Sequence, residues 1–313
     1  MKLSKRLLLA FSTGYILFFY SERVFWSFAR LEDSPLDYLL TPLLYTLFAY
    51  IFLILVDEFR VLSIWAIFIA GAAFGWIDEG IVAMTLFGVE GLPFPITISW
   101  TGLAWHALIS VLVGWYYLRK ILQENAYRKT IYFSLIMGSF WGFWSIAWGL
   151  ETPPLLASIP AYLVHGLAIT AFLIISQWLF TKSDPATFHA TKTEKIFFAA
   201  IALLFYGFVT VPYTRISLAI LPPLFVLLYV ILRRNKSSEQ GGSILAELGT
   251  PVRWRNSFLL FIMPITATLV YATANALNLV YRTNLFALIV TTALGFIIFG
   301  VSTIKIFRRS PDK

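Results

Sequence analysis

Long apolar runs follow one another along almost the whole chain, and short polar segments separate them. A helix needs about 20 mostly apolar residues to cross the hydrocarbon core of a bilayer. Ten runs are long enough to predict such helices: 7–28, 38–56, 61–77, 99–118, 131–150, 161–180, 196–213, 216–232, 257–276 and 285–304. The pattern therefore predicts an all-α fold, a polytopic transmembrane helix bundle of about ten spans embedded in a lipid bilayer.

The predicted spans 196–213 and 216–232 are short and closely linked. Pro222 and Pro223 interrupt the second of them, and proline removes a backbone donor inside a helix. The segment 196–232 is therefore either two full spans or one broken or re-entrant element.

The distribution of Lys and Arg predicts which ends of the spans face the cytoplasm, because cytoplasmic loops collect these residues. With a cytoplasmic N-terminus, the cytoplasmic segments hold 20 of them, and the opposite side holds three, Arg30, Arg215 and Arg282. Both termini are therefore predicted to be cytoplasmic, and the chain to be a multi-pass protein of the cell membrane.

Composition narrows the class of protein further. Hydrophobic residues make up 59% of the chain and charged residues 13%, whereas a soluble domain has about 25% charged residues. The net charge of +8 comes from basic residues at the ends of the spans, so it does not indicate nucleic-acid binding. The chain has no cysteine, which excludes disulfides, thiol nucleophiles and Cys-ligated metals.

The longest polar break before residue 200 divides the chain into two unequal parts. We expect a six-span half at 1–181, a cytoplasmic linker at 182–195 and a four-span half at 196–313 that holds few ionisable residues. A second polar loop, 233–256, is predicted to be a flexible cytoplasmic connection.

Two neighbouring helical hairpins carry the same pattern, an acid at the outer end of the rising helix and a histidine early in the returning one. The first hairpin has Glu79 and His106, and the second has Glu151 and His165. Both run from the inside to the outside and back, so they predict a tandem parallel repeat.

At about 1.5 Å per residue, six ionisable residues are expected in one layer near the outer face: Glu22, Asp78, Glu79, His106, Glu151 and His165. Ionisable side chains at membrane depth are costly and usually mark function. The alternative is structural, with solvated loop carboxylates and histidines that only bond a neighbouring helix. His189 and the segment Asp57-Glu58-Phe59-Arg60 are predicted on the cytoplasmic side, away from this layer.

The tryptophans are predicted to form an aromatic belt at the membrane boundaries. Five fall near the outer boundary: Trp26, Trp76, Trp100, Trp105 and Trp148. Trp141, Trp144 and Trp148 share one helix face, where they either pack against another helix or line a pocket.

The residues around Glu79 also suggest a family. The segment Ala70-Gly-Ala-Ala-Phe-Gly-Trp-Ile-Asp-Glu-Gly-Ile81, followed by His106-Ala-Leu-Ile and His165-Gly-Leu, resembles the PrsW-type glutamic intramembrane proteases. These belong to the wider group of CAAX proteases and bacteriocin-processing enzymes. The resemblance covers residues 57–175. It implies that Glu79 is a general base and that His106 and His165 polarise the substrate or hold an oxyanion.

Three functions stay open on the sequence. The first is a membrane hydrolase, in which Glu79, His106 and His165 are catalytic on a membrane-embedded or outer-face substrate, supported by Glu22, Asp78 and Glu151. The second is a proton-coupled secondary transporter of small molecules, and the third a non-catalytic scaffold or sensor. A Zn or Fe site is a further option, with Glu79, His106, Glu151 and His165 as ligands. No P-loop or Gly-x-Ser-x-Gly motif is present.

Overall fold

The architecture was obtained as a computed structural model, which describes residues 1–28, 34, 36–124, 126–151, 154, 157–238 and 241–309. Helices account for 82% of it. This confirms the predicted all-α bundle. Arg30, which enters the charge count above, lies outside the described residues.

Eleven helical elements are numbered here in chain order. They are α1 Leu3–Phe18, continued by a π-helical turn Phe19–Val24, α2 Asp37–Glu58, α3 Ile64–Val82, α4 Ile98–Gln123, α5 Tyr127–Leu150, α6 Ile159–Lys182, α7 Lys192–Tyr213, α8 Ser217–Ser238, the short α9 Leu245–Leu248, α10 Trp254–Ala276 and α11 Thr283–Arg308. A small hairpin of β1 Gly88–Val89 and β2 Leu92–Pro93 lies between α3 and α4, after a 3-10 turn Thr85–Phe87.

Nine helices in the described part of the chain are long and apolar enough to cross a membrane, and each coincides with one of the last nine predicted spans. The first predicted span, 7–28, is helical but is not among these nine. It carries hydroxyl residues along its length and a charged pair, Glu22-Arg23, near its end. Several of its apolar residues are nevertheless buried, since Leu9, Ile16 and Leu17 are fully enclosed.

The segment 196–232 forms two separate helices, α7 and α8, each long enough to span a bilayer. The expectation that Pro222 and Pro223 break the second one is wrong, because α8 runs through both prolines. They are the sixth and seventh residues of the helix, so each removes one backbone donor near its start, and the helix continues to Ser238. The predicted linker 182–195 holds a 3-10 turn, Pro185–Thr187, and the first residues of α7.

Helices α3 and α4 form the centre of the bundle and lie backbone to backbone. Of the most apolar 18-residue stretch of α3, 89% of the residues are buried, whereas only 6% of the corresponding stretch of α7 is buried, at the periphery of the bundle. A Cβ atom on Gly75 would lie only 2.4 Å from the carbonyl oxygen of Gly102. Helix α11 packs on both central helices, and α10 packs on α5 and α6, so helices from the two predicted halves are in contact.

The predicted aromatic belt is wrong for most of the tryptophans near the predicted outer boundary. A belt residue faces lipid, but Trp76 and Trp105 are 1% exposed, Trp100 8% and Trp148 9%. These rings therefore lie inside the bundle. Trp254, at the other end of the spans, is 59% exposed, as expected for a residue at the membrane boundary.

Candidate functional site

A cavity of about 860 Å³ opens at the end of the bundle where α3 turns toward α4. Its walls come from the end of the first helix, the α3–α4 connection, α4, the end of α5 and the start of α11. Four of the six residues predicted in the outer layer line it: Glu22, Glu79, His106 and Glu151. Arg282 and Asn284 add a wall from the C-terminal part of the chain.

Glu79 and His106 form the closest pair of ionisable groups in this wall. Oε1 of Glu79 lies 2.6 Å from Nε2 of His106, and both side chains are almost fully buried. The second carboxylate oxygen of Glu79 accepts a hydrogen bond from the hydroxyl of Thr85. Both oxygens of the carboxylate are therefore held, one by the imidazole and one by the turn that follows α3.

A chain of hydroxyl groups occupies the other side of the His106 ring. Nδ1 of His106 lies 2.9 Å from Oγ of Ser21, which lies 2.8 Å from Oγ of Ser110. The Ser110 hydroxyl donates to the carbonyl of Trp105 at 3.2 Å. Because the Ser110 hydroxyl proton is used in that hydrogen bond, the Ser21 hydroxyl must donate to Ser110. Ser21 then accepts a hydrogen bond from Nδ1 of His106, so Nδ1 carries a proton. Nε2 of His106 and Oε1 of Glu79 therefore share one proton across their contact.

Asp78 and Glu22 lie beside this pair in different roles. Oδ2 of Asp78 is buried, lies 3.6 Å from Nε2 of His106 and has no hydrogen-bond partner among the described residues. Asp78 is not among the residues that line the cavity, whereas Glu22 is. One carboxylate oxygen of Glu22 accepts a hydrogen bond of 2.9 Å from the hydroxyl of Tyr45. Two further carboxyl groups therefore lie near the pair, that of Asp78 buried against His106 and that of Glu22 at the cavity.

The two hairpins do not build equivalent sites. Glu79 lies inside the last turn of α3, and its side chain reaches His106. Glu151 is the first residue beyond the end of α5 and is exposed at the cavity. His165 is not among the cavity-lining residues. Its ring packs against Phe28, 5.1 Å between centroids, and its buried Nε2 finds no hydrogen-bond partner in the described ranges.

The predicted metal ligands do not assemble. Within the described ranges, no group of three or more His, Asp or Glu side chains could hold a metal ion. The arrangement gives no support to Glu79, His106, Glu151 and His165 as one ligand set. A carboxylate–imidazole pair is what the geometry offers instead.

Three helical segments that carry this site are wound as π-helix. They are Phe19–Val24 with Ser21 and Glu22, Asp78–Val82 with Glu79, and Ile98–Tyr117 with His106. π-helical winding is frequent at functional sites, because the wider turn moves a side chain out of the regular helical position. Ser21, Thr85 and Ser110 were not predicted as site residues, since hydroxyl residues are common in helices and turns and carry no signal of their own.

The opposite end of the bundle holds a separate set of charges. Glu58 binds Lys195 and Lys236, the latter at 2.5 Å, and Asp57 lies 3.0 Å from His189. The two acids of the segment Asp57–Arg60 therefore contact basic residues at the far end from the cavity, which agrees with their predicted separation from the outer layer.

Comparisons with known proteins identify no relative of this chain. No protein-family model, curated protein or solved structure matches this chain. The chain is a multi-pass membrane protein by its helices. Its activity has to be inferred from the site itself.

Proposed function

We propose that this chain is an integral membrane hydrolase in which Glu79 and His106 activate a water molecule against a substrate held in the cavity. The observation that carries the proposal is the 2.6 Å contact between a carboxylate and an imidazole in the wall of a cavity of about 860 Å³. Ligand sites usually enclose about 300–1,000 Å³, so this cavity has room for a substrate segment beside the pair.

The chemistry needs a group that takes a proton and a group that returns one. In the first step the water oxygen bonds to the carbonyl carbon of an ester or amide, the carbonyl π bond opens to an oxyanion, and the water proton passes to Glu79. In the second step the carbonyl re-forms as the bond to the leaving group breaks, and that group takes the proton of Nε2 of His106. Glu79 then returns its proton to Nε2 across their 2.6 Å contact, which restores the pair. Positioned acid–base groups of this kind accelerate reactions by roughly 100- to 10,000-fold.

Two further features support this proposal. Thr85 and Ser21 fix the outer sides of Glu79 and His106, as a preorganised pair requires. The resemblance of residues 57–175 to glutamic intramembrane proteases likewise makes Glu79 the general base, gives His106 a polarising or oxyanion-holding role, and makes an amide the expected bond. His165 has no part in the proposed chemistry, because it does not line the cavity.

Hydrolysis can be detected before the substrate is known, because water enters the product. Purified protein in liposomes is incubated in H₂¹⁸O with a library of transmembrane peptides and with ester-containing phospholipids, and mass spectrometry finds the ¹⁸O-labelled carboxylates. Wild type should label a defined product. Glu79→Gln and His106→Gln should each reduce the rate at least 100-fold.

Glu124→Gln is the control, since Glu124 is an exposed carboxylate at the opposite end of the bundle with no role in the proposed step. It should retain the wild-type rate. Undiminished labelling in both Glu79→Gln and His106→Gln, or no labelling by wild type with either library, would contradict the proposal.

A further inference from the structure

The cavity has an aromatic wall, which we define as Phe25, Trp26, Trp100 and Trp148. All four line the cavity. Phe25 lies 6.2 Å from Trp100 and 6.1 Å from Trp148 between ring centroids, and Trp26 stacks on Trp148 at 5.1 Å. These rings therefore form one continuous surface around Phe25.

Two further indoles that line the cavity, Trp105 and Trp144, adjoin the wall. Trp105 and Trp144 are each 1% exposed and pack on Phe25 at 4.7 and 5.4 Å. The indole N–H groups of Trp105 and Trp144 donate to the backbone carbonyls of Tyr20 and Phe25, and that of Trp148 donates to Oγ of Ser27. Because these three donors are bonded inside the protein, the three rings offer the cavity mainly carbon and π-electron surface.

The charges around this wall have one predominant sign. Four carboxylates line the described part of the cavity, Glu22, Glu79, Glu90 and Glu151, against a single guanidinium, that of Arg282. Glu22 lies one helical turn before Phe25 and Trp26, on the same cavity face. A π surface next to carboxylates attracts a cation that also carries apolar substituents, and recognition of alkylammonium groups by aromatic rings is the established use of such walls.

We infer that the cavity binds an alkylammonium group, with its apolar substituents against Phe25, Trp26, Trp100 and Trp148 and its charge facing Glu22. As a description of the substrate, the inference rests on the proposed hydrolase function; as a binding site, it stands on the cavity alone. An anion would face an excess of carboxylates, and a neutral apolar ligand would desolvate them without compensation. The ammonium group belongs either to a soluble amine or to a zwitterionic lipid headgroup.

The test compares choline with its neutral isostere 3,3-dimethylbutan-1-ol, which has the same shape without the charge. Both are titrated calorimetrically into the full-length protein in an uncharged maltoside detergent. Choline should bind saturably and at least tenfold more tightly than the isostere. Dihexanoylphosphatidylcholine below its micellar concentration is a third probe: binding at least tenfold tighter than choline assigns the site to a lipid headgroup, and weaker binding assigns it to a soluble amine.

Variants locate the site. Trp148→Phe should stay within threefold of the wild-type affinity for choline, whereas Trp148→Leu and Glu22→Gln should each weaken it at least tenfold. Trp254→Leu, at the exposed tryptophan of the opposite end, is the control and should change nothing. Thermal melting of each variant in the same detergent reports folding.

Equal affinities for choline and the isostere, or wild-type affinity in folded Trp148→Leu and Glu22→Gln, would overturn the inference. The isostere comparison needs no variant, so a misfolded mutant cannot leave the question open. Loss of choline binding with ¹⁸O labelling intact removes this inference alone. Choline binding without any ¹⁸O labelling removes the proposed hydrolase and leaves the binding site.

Discussion

Glu79 and His106 meet across two helices whose backbones touch one turn earlier. Gly75 lies four residues before Glu79, and Gly102 lies four residues before His106. A Cβ on Gly75 would lie 2.4 Å from the Gly102 carbonyl oxygen and 2.8 Å from Cβ of His106. The 2.6 Å contact between carboxylate and imidazole therefore depends on the absence of a side chain at Gly75.

Gly75→Ala should destabilise the bundle and separate the pair, because a methyl group has no room against a neighbouring backbone. Overpacking of this kind costs about 1–3 kcal/mol. We expect a lower melting temperature in detergent and a loss of hydrolysis comparable to that of Glu79→Gln. Gly300→Ala is the control, since no atom lies within 4 Å of its added Cβ, and it should melt like wild type. Unchanged melting and rate in Gly75→Ala would show that the helices are not in backbone contact.

Thr85 holds the carboxylate oxygen of Glu79 that does not face His106. Thr85→Val keeps the shape but removes the hydroxyl, so the carboxylate gains rotational freedom and loses its productive orientation. Removing one such hydrogen bond costs about 1 kcal/mol, which corresponds to a several-fold reduction in turnover. Thr85→Ser should restore most of the rate. A rate in Thr85→Ser as low as in Thr85→Val would mean that the methyl group, and not the hydrogen bond, matters.

Ser21 tests which group is the nucleophile. Its oxygen accepts from Nδ1 of His106 and its proton goes to Ser110, so the imidazole cannot take that proton. We therefore expect Ser21→Ala to slow turnover about tenfold, through loss of one orienting hydrogen bond to a charged or polarised ring, and not to abolish it. A fluorophosphonate probe should leave no covalent mass on the protein. Complete loss of turnover together with covalent labelling of Ser21 would establish a serine hydrolase instead.

The sequence predicts depth in the membrane well and rotation about each helix axis poorly. Counting residues from a helix start placed Glu22, Glu79, His106 and Glu151 in one layer, and all four line one cavity. The same counting placed Trp100 and Trp148 at the boundary, but it could not show that they face inward. A helix that is apolar on all sides has no polar stripe from which its buried face can be deduced.

The sequence also does not show which residue each histidine contacts. His106 and His165 occupy similar positions in similar hairpins, yet only His106 contacts an acid in the described structure. The difference lies in one element boundary: Glu79 is held within a helical turn, and Glu151 follows the end of its helix. Boundaries are the least reliable part of any reading of a sequence, so the apparent repeat did not carry over to the geometry.

Arg119 should be the most stabilising basic residue of the bundle. Its guanidinium is fully buried, lies 3.9 Å over the ring of Phe180 and donates to the Leu248 carbonyl, to two oxygens of Gln177 and to Thr181. Arg119→Met leaves these acceptors without a donor and should cost on the order of 3 kcal/mol.

Arg119→Lys should recover less than half of that loss, because an ammonium group lacks the planar fork that reaches several acceptors at once. The measurement is thermal or denaturant unfolding in detergent. Arg128→Met is the matched control, since Arg128 is exposed, and it should unfold like wild type. Equal stability of Arg119→Met and Arg128→Met would mean that the buried guanidinium is not held as described.

The distribution of Lys and Arg predicts the side of the membrane on which the cavity opens, and this prediction can be tested directly. The chain has no cysteine, so a single introduced thiol is the only labelling site. Glu90→Cys lies at the cavity end and Ala246→Cys at the opposite end, and both positions are exposed. With cytoplasmic termini, a membrane-impermeant maleimide should label Glu90→Cys in intact cells and should label Ala246→Cys only after permeabilisation.

The reverse labelling pattern would invert the topology and place the Glu79–His106 pair toward the cytoplasm. Such an inversion is the outcome that the basic residues argue against, since 20 of them would then lie outside and three inside. It would also change where a substrate with an alkylammonium group must come from, namely the inner leaflet or the cytosol. The labelling experiment therefore decides which leaflet supplies the substrate before any substrate has been identified.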